Sequence, residues 1–395
     1  TTLFRSKTMS ALIEGSWDDA RGIAQSTFKQ LKSESLPVAQ CVNRTLAVDA
    51  KSLVDLPTYA TSAMDGYAVS GPGPWKIVGE VKAGLPMKGV LESGAAVGIA
   101  TGAVIPEGTF GIIRWESAKV DGTELNGAVV KDQDIRPPAH ECKAGDVIVN
   151  KGTVLNPAMI GLLAAAGFDE IDVVTAPRVA LVLLGDEIQL KGIPRDGLVR
   201  DALGPQLPGW LNAMGAQIIS TQYISDQLDL VITALKDACE KADVVITTGG
   251  TAQGPRDYLH SALEAVGADI LVDTVKVRPG HPMLLARKGD VAILGLPGNP
   301  QSAIVALASL GQPVIASQLG QTHKKLAKVI TASELSAPQD FTRLIIGNLI
   351  DGQFHVAPYL GSAMLRGLAH SDGFAIVTKA LTGVGEQVRW LDLPA

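Results

Sequence analysis

Three apolar runs that end in glycine-bearing corners constrain this 395-residue chain more than any other feature. Val179–Leu184 leads into Gly185-Asp186-Glu187, Val244-Val245-Ile246 into Thr247-Thr248-Gly249-Gly250, and Val291–Leu294 into Gly295-Leu296-Pro297-Gly298-Asn299-Pro300. Continuous apolar runs of this kind read as strands buried on both faces. Helical patterns lie between and after them, over Leu228–Lys241, from Asp257 to Gly267 and over Ser302–Leu319. A weaker helix over Asp201–Met214 carries Pro205 and Pro208, and a short strand falls on Gln217–Ser220. Alternating strand and helix is the signature of a doubly wound α/β domain with a mixed or parallel sheet. In such sheets ligands bind at the carboxyl ends of the strands. Glycines let a ligand approach the backbone, and a following helix offers N–H groups to an anion. The corners therefore read as an anion-binding crevice, with phosphate the expected guest.

The rest of the chain has other textures. A helical pattern starts at Trp17 and runs to about Lys32, a second helix-like piece covers Val38 to Leu46, and an extended stretch follows to Pro57. Short Val/Ile-rich runs alternate with glycine turns as far as Val149, over Trp75–Val81, Ala96–Ala100, Gly111–Trp115 and Ala128–Lys131, which describes a small β domain. Ala158–Gly167 is helical again and is expected to pack on the N-terminal helices. Short β runs return beyond Lys328 and read as a small β-barrel. Four regions result: 1–50 with 150–177 as a discontinuous helical and extended domain, 51–149 as the β domain, 178–327 as the α/β domain and 328–395 as the barrel.

Composition narrows the class. The net charge of −6, with no basic run, excludes a nucleic-acid partner, while a local pocket can still hold a small anion. Three scattered cysteines (Cys41, Cys142, Cys239) without C-x-x-C spacing fit a reduced cytoplasmic setting and give no structural zinc site. No signal peptide is visible, and no apolar run approaches the ~20 residues that span a bilayer.

Several side chains could do chemistry. If the strand ends converge, Asp186, Glu187 and Asp257 become carboxylates beside backbone N–H groups, which suits a phosphate ester bridged by Mg²⁺. Asp257 by itself serves equally well as a helix cap. Arg278 and His281 flank Pro279-Gly280, where a cation would bind an oxyanion, although His281 alone reads as a loop histidine. Asp65, in Ser62-Ala63-Met64-Asp65-Gly66, is either a catalytic carboxylate or the start of an Asp-Gly turn.

Taken together, these stretches resemble the MoeA/gephyrin family of molybdopterin molybdenumtransferases. The resemblance rests on Ser62-Ala63-Met64-Asp65-Gly66-Tyr67-Ala68-Val69, Thr101-Gly102-Ala103, Gly185-Asp186-Glu187, Gly249-Gly250 with Gly254 and Asp257, Arg278-Pro279-Gly280-His281-Pro282, Gly295 to Pro300, and Gly361-Ser362-Ala363-Met364-Leu365. It implies an elongated four-domain subunit with a MogA-like α/β domain, paired as a homodimer. The active cleft would lie between that domain of one subunit and the Ser62–Tyr67 region of the other. It further implies that molybdate enters adenylylated molybdopterin with Mg²⁺-dependent release of AMP, the final step of molybdenum-cofactor synthesis. An adenylyltransferase would precede this step, and molybdoenzymes would receive the product.

By position, the resemblance makes Asp65, Thr101, Glu187, Asp226 and Asp257 catalytic. It gives the pterin phosphates Gly249, Gly250, Thr251, Gly254, Arg278, Gly280, Gly298, Asn299 and Pro300. Glu187 and Asp257 would hold Mg²⁺, and His281, Pro282, Ser302, Arg343 and Ser362 would hold molybdate. The chain departs from the family where Arg278 and His281 replace two lysines, where Asp201-Ala202-Leu203 replaces Asp-Ser-Asn, and at Ala60. Those losses of hydrogen-bonding groups leave a second reading, a weakened or non-catalytic paralogue that binds molybdopterin as a scaffold.

Overall fold

The computed structural model describes residues 11–251, 258–323 and 325–393, which form two compact units. One comprises 35–42 and 46–173; the other comprises the remaining chain on either side.

The 46–173 unit is built on a six-stranded sheet in the order Gly111–Arg114, Gly66–Val69, Ala95–Ile99, Trp75–Val81, Glu124–Asn126, Lys119–Asp121. Both faces are covered. Ala68, Val97, Ile99 and Ile112 enter one core, and Val69, Ala96, Ile113 and Leu125 the other, as the two-residue period of a strand requires. Gly66 has no room for a side chain: a Cβ there would lie 2.1 Å from the Ile113 carbonyl oxygen. The expected strand over Ala128–Lys131 does not form; the segment is irregular and leads into a turn that begins at Lys131. The Gln133 side chain accepts from the Val130 N–H, and the Gln133 N–H returns to the Val130 carbonyl, so these groups are satisfied without a ladder. The helix-like piece Val38–Leu46 is only a 3₁₀ turn, Val38–Gln40. Helix Pro157–Ala165 forms where expected, because Asn156 caps it by accepting from the Met159 N–H and Pro157 occupies its first turn.

The second unit holds a seven-stranded mixed sheet in the order Leu12–Gly15, Asp269–Val275, Leu284–Lys288, Val291–Leu296, Val244–Thr248, Arg178–Leu184, Gln217–Ile224. The last four are mutually parallel, and Leu284–Lys288 runs against both of its neighbours. Helix Leu228–Lys241 buries Val231, Ala234, Leu235 and Ala238 on one stripe, at helical spacing. Helix Leu203–Ala213 forms despite Pro208 within it.

The N-terminal segment differs from expectation. Leu12–Gly15 pairs in parallel with Asp269–Val275, and helix Trp17–Thr27 packs against the helical run Pro300–Gln318, while Pro157–Ala165 packs on the 3₁₀ turn Val38–Gln40. That run contains a π-helical turn, Leu307–Gly311. A π turn leaves carbonyls out of the regular ladder, and the N-terminal helix answers them. Arg21 donates to the Ala308 carbonyl at 2.6 Å, and the fully buried Trp17 donates through Nε1 to Ser309 Oγ at 2.8 Å. Burial lowers the Arg21 pKa to about 10.

The C-terminal region is a closed five-stranded barrel, Thr342–Ile350, Gln353–Val356, Ala327–Thr331, Gln387–Asp392 and Gly373–Val377 returning to the first. Phe354, Ala375 and Trp390 fill it. No helix of the described residues is long and apolar enough to cross a membrane.

Candidate functional site

The strand ends do converge. Because the strands run in register, Leu183 stands beside Thr248 and Thr248 beside Leu296. The Gly249 N–H donates to the Leu296 carbonyl at 2.9 Å. Gly249 and Gly250 have φ of +80° and +65°, and a Cβ on Gly249 would come within 3.1 Å of the Leu184 carbonyl oxygen. Built on Gly298, a Cβ would lie 3.9 Å from the Gly249 Cα. The three corners are thus one bare backbone surface, beside the buried Thr251.

Two carboxylates meet at its edge. Asp186 accepts from the Asp226 N–H at 3.3 Å and Asp226 from the Asp186 N–H at 3.4 Å, which ties the two loops together. Glu187 is exposed beside them. Gly254 and Asp257 lie outside the described residues, and among the described residues no three His, Cys, Asp or Glu side chains cluster tightly enough to hold a metal.

Asp201 takes a structural role. It accepts from the N–H groups of Leu203 and Gly204, opening the helix, and from the Tyr223 hydroxyl at 2.8 Å. Burial, then the bond to Asp201, pushes the Tyr223 pKa up to about 12.

In the other unit, Asp65 and Thr101 form a pair. Thr101 donates to Asp65 Oδ1 from its N–H at 2.7 Å and from its hydroxyl at 3.0 Å. Asp65 itself is exposed, and Oδ2 has no bond to a described residue. Gly66 is the first residue of a strand, so Asp65-Gly66 is not a two-residue hairpin turn.

A cavity of about 390 Å³ lies where the α/β domain meets the barrel. His281, Pro282, Ser302, Arg343 and Ser362 all line it, together with Arg278, Gly280 and Asn299. Val277–Arg278 pairs in parallel with the barrel strand Thr342–Ile350, which sets Arg278 opposite Arg343. The Arg278 guanidinium lies 5.0 Å from the centre of the Phe341 ring, and Arg343 donates to the Ser336 carbonyl at 3.2 Å. Neither has a carboxylate partner among the described residues. His281 must carry its proton on Nδ1, which donates to the Val275 carbonyl at 2.6 Å, and its Nε2 is 3.9 Å from Glu14. Gly280, at φ +97°, passes so close to the helix that a Cβ would be 3.2 Å from the Ser302 carbonyl oxygen. Two fixed cations, hydroxyls and an amide around one hollow suit a tetrahedral oxyanion.

One sequence expectation fails here. The helix after Pro300 does not offer its first N–H groups to an anion, because Gln301 and Ser302 both donate to the Ser362 carbonyl, at 2.9 and 3.3 Å. The anion is left to the side chains. Gln301, also in the wall, was not singled out by sequence, since a polar residue just inside a helix start carries no signal of its own.

Comparison with known proteins bears on all these regions. Residues 15–167 match the family model of the MoeA N-terminal region (domains I and II), 180–317 that of a probable molybdopterin binding domain, and 328–393 that of the MoeA C-terminal region (domain IV). The molybdopterin molybdenumtransferase of Haemophilus influenzae is 33% identical over 303 residues, 74% of this chain and 75% of that protein. Its counterpart in Bacillus subtilis is 29% identical over 338 residues, 80% and 78% of the two chains. Among solved structures, the molybdopterin biosynthesis MoeA protein of Pyrococcus horikoshii superimposes with a TM-score of 0.81 at 22% identity, covering 95% of this chain and 99% of that one. A molybdenum cofactor biosynthesis protein of Pyrococcus furiosus gives 0.61 at 15% identity, over 97% and 100%. These structural likenesses bear on the fold.

Proposed function

Because the chain belongs to the MoeA family of molybdopterin molybdenumtransferases, we propose that it transfers molybdenum from molybdate to adenylylated molybdopterin, with the Arg278–Arg343 cavity as the seat of molybdate. The protein acts in molybdenum-cofactor biosynthesis. The observation that carries the proposed seat is the pair of arginines at one register position, unneutralised, facing a hollow rimmed by Ser302 and Ser362.

The chain's own groups divide the work. Arg278 and Arg343 hold the charge of the oxyanion, while Ser302 and Ser362 fix its orientation with hydroxyl hydrogen bonds. The glycine corners give the phosphates of the pterin nucleotide room against bare backbone. Asp65 Oδ1 is held by Thr101, so Oδ2 is the oxygen able to take a proton or orient an attacking oxygen. Asp186, Glu187 and Asp226 offer carboxylate oxygens at the strand ends, one or two of which would suffice for Mg²⁺, since that ion keeps several waters. When bound, Mg²⁺ would offset phosphate charge. An oxygen of water or of molybdate would attack the phosphoanhydride phosphorus as its bridging bond breaks and AMP leaves, and the two dithiolene sulfurs would replace molybdate oxygens, which depart as water. In this reading two subunits pair, and the Asp65–Thr101 region of one completes the glycine-lined cleft of the other.

The test is AMP release from adenylylated molybdopterin with molybdate and Mg²⁺, beside direct titration of molybdate. Tight pterin binding without AMP release would replace the transferase with a scaffold.

A further inference from the structure

Gln301 has no structural reason to be polar. It is 2% exposed, follows Pro300 at the start of the long helical run and lines the cavity. Its backbone N–H is already spent on the Ser362 carbonyl. Its side-chain Oε1 is sealed from solvent without a hydrogen-bond partner. No described residue bonds its Nε2 either, yet Nε2 is not among the sealed atoms. An amide buried with both ends unbonded is unfavourable, and Leu or Met would fill the same space without that cost. A ligand in the cavity would give Nε2 a partner, a bond that Leu or Met in the same place could not make. Nε2 is the end that keeps a surface, and the free space beside Gln301 is the cavity that Arg278 and Arg343 make positive.

We propose that Gln301 is a further binding residue of this site, its side-chain NH₂ donating a hydrogen bond to the tetrahedral oxyanion held between the two arginines. The assignment rests on reading the cavity as an oxyanion site. An oxyanion also selects between the two orientations of the amide, since Oε1 would repel it. The arginines supply attraction at a distance, whereas this neutral donor acts only on an oxygen in contact with it.

Isothermal titration of the intact protein with sodium molybdate tests the assignment, using wild type, Gln301→Leu, Gln301→Glu and Arg343→Ala at two salt concentrations. A lost hydrogen bond to a charged ligand weakens binding about tenfold or more, so Gln301→Leu is expected to bind molybdate roughly tenfold more weakly. Its melting temperature should match or exceed that of wild type. The salt dependence of binding should persist in Gln301→Leu, because no charge is removed, and shrink in Arg343→Ala. Gln301→Glu should lose binding further. If Gln301→Leu does not fold, Gln301→Met takes its place. Loss in Arg343→Ala with wild-type affinity in Gln301→Leu overturns the Gln301 assignment alone. A wild type that binds no molybdate, or an Arg343→Ala that binds as wild type does, overturns the oxyanion site and this assignment with it.

Discussion

Arg278 and Arg343 occupy matching positions on two parallel strands, one leaving the α/β sheet and the other opening the barrel. Side chains at matching positions of a parallel pair share a face, so two like charges are held together with no carboxylate to relieve them among the described residues. An anion between them removes the repulsion. Arg343→Ala is therefore expected to weaken molybdate binding by about 10- to 100-fold at low salt, the range for charge-assisted contacts, with little change in melting temperature. Titration calorimetry reads the outcome, and unchanged affinity would sink the oxyanion reading.

Asp65→Asn isolates a charge. Asparagine keeps an oxygen where Thr101 donates, so the local fold should hold, while the proton-accepting oxygen is lost. AMP release is expected to fall by roughly 10²- to 10⁴-fold, the usual contribution of a positioned acid or base. Full activity in this variant would remove Asp65 from the chemistry.

Gly66→Ala should destabilise the β domain. The new methyl would meet the Ile113 carbonyl oxygen at 2.1 Å, a contact only backbone movement can relieve. A loss of about 1–3 kcal/mol, typical of overpacking, is expected in urea unfolding. An unchanged midpoint would show that the sheet yields there.

His323 gives the protein a pH dependence of known sign. Burial, then the neighbouring Arg21 charge, lowers its pKa below the ordinary 6.5. The folded protein keeps this imidazole neutral at a pH where the unfolded chain protonates it. Its contribution to stability is thus intact above about 6.5 and is lost as pH falls toward the lowered value. Melting temperatures between pH 7.5 and 5 should drop less steeply in His323→Gln than in wild type, and parallel curves would refute this.

The sequence reveals what backbone chemistry dictates. Glycine-terminated apolar runs announce the sheet and its convergent corners, whereas His281, Ser302, Arg343 and Ser362, which line one cavity, are legible only through the family resemblance. It does not reveal what tertiary contact decides. Trp17–Thr27 has a helical pattern but no mark of its partner, because its docking depends on carbonyls released by a π turn almost 300 residues later. The use of the Ser362 carbonyl to end the Pro300 helix is equally silent, since any residue carries a carbonyl. Gln301 carries no signal in the sequence, because only its burial with an unpaired amide sets it apart.

The two-residue strand Val277–Arg278 ties the barrel to the α/β domain by main-chain hydrogen bonding, and the Thr342 N–H extends the tie to the Lys276 carbonyl at 2.9 Å. Drawing the barrel away from the α/β domain at this point would break these main-chain bonds. The spacing of the two arginine backbones is thereby set by main-chain pairing rather than by the guest between them.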